Sequence, residues 1–193
     1  MRNGTAPRLS AADRATIPLV VAGVVGGFLH FLKGVVLVGG GPDLSLVPAM
    51  LLLFGVGLFA FSRRVSPNDG WARAGAITAW VAAAFGVASV GCQFADWQPE
   101  DPADPVMADI AYGGGTLAIF VGLLLFGIAW AREQTIPLPW RLVPLAVGIV
   151  WFPLEGLTLF LPDGWGLVLA GLSWVVAALT PALAADQRAA PAQ

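Results

Sequence analysis

Of the chain's 193 residues, 58% are apolar and only 11% charged, with a mean hydropathy of +0.79. A soluble domain carries about 25% charged residues, so a water-covered surface cannot be assembled from this composition. The single cysteine, Cys92, excludes an intramolecular disulfide, a CxxC redox pair and a cysteine-based zinc site.

In chain order, residues 1–16 form a short polar tail carrying Arg2, Arg8 and Arg14. Span 1 covers residues 17–38. Its apolar run is longer than the roughly 7–15 residues of a signal-peptide core, so it is expected to remain as an anchor. Gly23, Gly26, Gly27, His30, Lys33 and Gly34 share one helix face of this span, by their spacing of three and four. Span 2 covers residues 44–61 and contains Leu51-Leu52-Leu53-Phe54-Gly55. Span 3, residues 74–92, puts Ala82, Gly86 and Ser89 on one face, which Gln93 continues. Both spans are near the short limit for a crossing, which needs about 20 residues.

The connection from 95 to 109 is acidic and contains prolines. It lacks the ligand spacing and turn glycine of an EF-hand and reads as a solvated loop. Span 4 covers 110–130 and repeats the span 2 motif as Leu123-Leu124-Leu125-Phe126-Gly127. Span 5, residues 142–161, places Gly148, Phe152, Glu155 and Gly156 on one face, with Pro153 inside the helix. Span 6 covers 165–182, and residues 185–193 form a second tail. Backbone groups in lipid must bond internally, and these long runs lack the alternation of barrel strands, so the spans are helices. The fold class is therefore an all-α integral membrane protein, with residues 17–184 as a six-helix transmembrane domain.

Charge gives the orientation. All nine arginines fall in the tails or in the connections 2–3 and 4–5, while Asp43, Asp96, Glu100, Asp101, Asp104, Asp109 and Asp163 occupy the other connections. Cytoplasmic loops collect Lys and Arg, so both termini are expected inside. Topology and lipid headgroups account for the arginines, and no nucleic-acid role is assigned. Arginine used in place of lysine, with abundant Ala and Gly, points to a GC-rich bacterial genome and hence a bacterial inner membrane.

Two related frames, Phe31-Leu32-Lys33-Gly34 and Pro153-Leu154-Glu155-Gly156, carry opposite charges, and Pro42-Asp43 and Pro162-Asp163 follow them. Together with the span 2 and span 4 motif, they read as three helical hairpins. Repeats packed around a shared site are a transporter plan. An ionisable residue inside a span is by default a functional candidate. Glu155 is read as the charged gate or proton carrier, Lys33 as its partner or as a snorkelling lysine, and His30 and Gln93 as secondary contacts. Pro153 frees the carbonyl of Ile149 and is expected to open the helix near the site. Trp71, Trp97, Trp130, Trp140 and Trp165 lie at span ends, where indole favours the interface. The deeper Trp80, Trp151 and Trp174 read as core, with a cavity wall as the alternative.

HExxH, GxSxG and the phosphate-cradling GxxxxGK[ST] are all missing, and one histidine cannot supply bis-histidine haem ligation. No metal site and no cofactor is assigned. The function expected is binding or translocation of a small solute, ion or proton through an outward-facing polar pocket. Two other readings stay open. One is a non-catalytic subunit or assembly factor docked to a partner membrane subunit, and the other is a small membrane enzyme acting on a lipid or isoprenoid.

Overall fold

The computed structural model describes residues 11–41, 46–94, 107–157 and 164–189, with the side chains at 11–13, 92–94, 107–109, 111, 157 and 185–189 excepted. The tail residues 1–10 and 190–193, both Pro-Asp turns, the acidic loop with Trp97, and the side chains of Cys92, Gln93 and Arg188 thus lie outside what is described.

The described chain is all helical: α1 (Ala11–Val38), α2 (Val47–Ser62), α3 (Gly70–Phe94), α4 (Met107–Arg132), α5 (Leu138–Leu157) and α6 (Trp165–Ala189). All but α2 are long and apolar enough to cross a membrane. The exception has 16 residues, or about 24 Å of rise against about 30 Å of hydrocarbon. Span 3, expected to be short, is a helix of 25 residues. Its start is fixed by Asp69, whose carboxylate accepts the backbone N–H of Trp71 at 2.8 Å and of Ala72 at 3.0 Å, an N-cap outside the apolar run. The end of α1 is fixed by Gly39-Gly40-Gly41. Gly40 adopts φ +71°, and the Gly40 and Gly41 amides donate back to Leu37 and Val36, closing a Schellman turn.

The helices stand in chain order around a ring, with α6 packed on α1, and α2 also reaches across to α4 and α6. Close backbone approaches fix the directions. A methyl on Gly57 would stand 2.5 Å from the Cα of Gly23, and one on Gly26 would meet Phe54, so α1 and α2 are antiparallel. Gly55 against Ala83 and Gly86 against Leu52 set α3 antiparallel to α2. Gly122 against Thr78 and Gly127 against Leu145 continue the alternation through α4 to α5, and Gly34 against Val168 sets α6 antiparallel to α1. Arg14, Arg63, Arg64, Arg73, Arg132 and Arg141 therefore share one end of the bundle.

The expected inward faces of α1 and α3 are buried at Gly23, Gly26, Gly27, His30, Gly34, Ala82, Gly86 and Ser89. On α1 the opposite side exposes Ile17, Val21, Val25, Phe28, Leu32 and Val35, an apolar stripe suited to lipid. Three side-chain expectations are corrected. Phe152 is 46% exposed and pairs with Phe120 outside the bundle, because α5 turns Trp151 inward beside Gly148 instead. Trp130 is fully buried and donates to the Phe61 carbonyl at 3.0 Å, so it is not an interface anchor. Trp80 is 69% exposed, so it does not belong to the core.

Gly57→Ala is expected to destabilise the protein by about 1–3 kcal/mol, because the added methyl meets backbone that cannot retreat. Gly113→Ala, with no described atom within 4 Å of the new methyl, is expected to be neutral or mildly stabilising. Thermal unfolding in detergent compares the two.

Candidate functional site

The middle of the bundle is aromatic. Phe54 packs on Trp174 with ring centroids 4.3 Å apart and edge-on to Trp151 at 6.1 Å. Trp174 donates its indole N–H to the Gly23 carbonyl at 3.0 Å, which ties α6 to α1. On the side of this cluster away from the arginines, α1 and α5 turn their polar residues inward.

His30 Nε2 and Glu155 Oε1 stand 2.8 Å apart, with side-chain exposures of 4% and 9%. They are within ion-pair distance but not in hydrogen-bond alignment. His30 also lies 5.7 Å from the Phe54 ring, so the aromatic cluster walls one side of the pair. The desolvation logic is direct. A lone carboxylate here costs several kcal/mol, and an imidazole in contact offsets part of that cost.

Beside the pair is a cavity of about 10 Å³, roughly the room one water needs. Its polar lining is His30, Glu155, Tyr112, Thr116 and Trp151, and Met50, Leu51 and Phe54 supply apolar wall. His30 Nδ1 and Trp151 Nε1 are buried and have no hydrogen-bond partner among the described residues. A buried polar atom left unsatisfied costs about 1–3 kcal/mol, so these two nitrogens are a local cost of the fold beside the cavity.

Of the site residues expected from sequence, Glu155 and His30 meet directly. Lys33 is half-buried on α1, one turn beyond His30 and away from the arginine end. Gln93 lies on α3, and its side chain is outside the described residues. Pro153 is exposed, so it points away from the cavity and affects the site only through the α5 backbone. Sequence reasoning missed Tyr112 and Thr116. Their i, i+4 spacing on span 4, with the chain's one tyrosine, is the signal that would have found them. Compared with protein-family models, curated proteins and solved structures, the chain matches none.

A double-mutant cycle is expected to couple the pair. His30→Ala and Glu155→Gln should each destabilise, and the double variant should lose less than the two together, with a coupling of about 1 kcal/mol or more. Thermal unfolding of the four proteins in one lipid mixture measures it.

Proposed function

We propose that this chain is a membrane protein that binds and passes a small ion, the proton, through the pocket around Glu155. The observation that carries this reading is the 2.8 Å contact of His30 with Glu155, buried beside a cavity no larger than one water. That size favours the smallest cargo among the solutes and ions a polar membrane pocket can take. A proton reaching the cavity is taken up by the carboxylate or the imidazole, raises the charge of the pair by one, and restores it on leaving, so each passage carries one positive charge.

The geometry also suggests a direction. The Phe54–Trp151–Trp174 cluster closes the arginine side of the pair. Lys33 is the next ionisable group on α1 towards the opposite end. Taking the arginine end as cytoplasmic places both termini inside, α2 as a sixth crossing, and the pocket in the outer half of a bacterial inner membrane. In this closed state, release inward requires the aromatic cluster to part. The α5 backbone beside Pro153, which lacks one helical hydrogen bond, is the flexible point nearest to Glu155.

A threefold hairpin plan is part of the proposal. In its support, the repeated Leu-Leu-Leu-Phe-Gly motif has equivalent packing in α2 and α4. Phe54 and Phe126 are both buried, and Gly55 and Gly127 each press on the backbone of the following helix.

In liposomes holding a pH-sensitive dye, an imposed membrane potential should drive proton uptake through the wild-type protein above that of empty vesicles. Glu155→Gln should reduce it by about a hundredfold or more, the scale of losing a positioned proton-transfer group, while inserting normally. Wild-type uptake equal to empty vesicles, or undiminished uptake in the variant, overturns the proposal.

A further inference from the structure

A second site lies on the outside of the bundle, near the arginine end. A groove of about 560 Å³ runs between α1 and α3, with Val56 and Phe59 of α2 as its floor and Leu19, Ala76 and Trp80 on its flanks. It exists because α2 is recessed. This helix reaches inward to α4 and α6, so its outward side is left below the level of its two neighbours. The volume falls within the range of about 300–1,000 Å³ usual for ligand sites.

Two observations point to the occupant. The first is Trp80, 69% exposed and ten residues into α3, roughly 15 Å from the helix start. Indole ordinarily sits at headgroup level, but here its ring stands edge-on to Phe59 at 5.0 Å and forms a deep apolar wall.

The second is charge. Arg63 and Arg73 line the shallow end of the groove. Arg63 is exposed, and among the described residues its guanidinium makes no hydrogen bond or ion pair. Arg73 is held in place by Nε donating to the Pro67 carbonyl at 3.0 Å and Nη2 to Asn68 Oδ1 at 3.3 Å, which leaves further N–H groups free to donate. The carboxylate of Asp69 caps α3 and, among the described residues, makes no ion pair with either arginine. Paired guanidinium groups above an apolar groove match a phosphate above an acyl chain.

We infer that this groove binds one anionic phospholipid, with an acyl chain along Val56, Phe59 and Trp80 and the headgroup phosphate on Arg63 and Arg73. The site is separate from the His30–Glu155 pocket and stands or falls independently of it.

Native mass spectrometry of the full chain tests it, with phosphatidylglycerol and phosphatidylcholine of identical acyl chains supplied together. The wild-type protein should retain one phosphatidylglycerol in preference to phosphatidylcholine, and inorganic phosphate should not displace it. Arg63→Ala, which removes an exposed side chain, should lower that retention about fivefold. Ala76→Trp, which fills the groove while keeping both arginines, should lower it as well. Equal retention of the two lipids, unchanged retention in Arg63→Ala, or displacement by inorganic phosphate overturns the inference.

Discussion

The constraint on which the rest of this bundle turns is a carboxylate, Glu155, held inside a set of helices long and apolar enough to cross a membrane. Glu155 lies on a helix whose positions Ile149, Val150 and Phe152 are exposed, so the outward side of α5 near it is an apolar surface. A charge in such a place is tolerated only when it faces the interior and finds a partner. His30 is that partner, at 2.8 Å. The pair is costly to bury and hard to replace piecemeal, because removing either member leaves the other desolvated.

Glycine makes the contact geometrically feasible. No described backbone contact links α1 to α5; their side chains meet across the ring. Gly26 and Gly27 let Phe54 and Trp174 close on α1 beside His30, and Gly34 brings the start of α6 against its last turns. Gly55 and Gly86 then hold α3 on the outer side of α2. In lipid, where burying apolar surface gives helices little reason to associate, such close packing supplies much of the attraction. The same recession of α2 that fills the bundle centre leaves the groove on the outside. One short helix thus shapes both the pocket and the lateral groove.

Much of this was legible in the sequence. Apolar run lengths gave six helices in this order, and small residues at three-and-four spacing gave the inward faces of α1 and α3. Glu155 stood out because charge is so rare in the chain. What was not legible depends on packing. His30, expected only as a secondary contact one turn before Lys33, stands 2.8 Å from Glu155. How closely a residue approaches a facing helix is set by helix rotation and height, and periodicity fixes neither. The same rotation decides Trp151 over Phe152 on α5. Trp130 looked like an interface anchor because its position ends an apolar run. Its indole N–H instead adds a buried hydrogen bond to the Phe61 carbonyl at the end of α2, a tie between α4 and α2 that no hydrophobic pattern announces. The cap at Asp69 lies in polar sequence, outside any hydrophobic pattern, so the length of α3 was underestimated.

Because the chain has a single histidine, isotope-labelled histidine reports on His30 alone. Solid-state NMR on the protein in bilayers, with ¹⁵N-labelled histidine and ¹³C-labelled glutamate carboxyl groups, measures the contact directly. Strong nitrogen–carboxyl dipolar coupling, lost in Glu155→Gln, is the result that the buried pair requires. A histidine signal with no carboxyl coupling in a folded, inserted protein would contradict it.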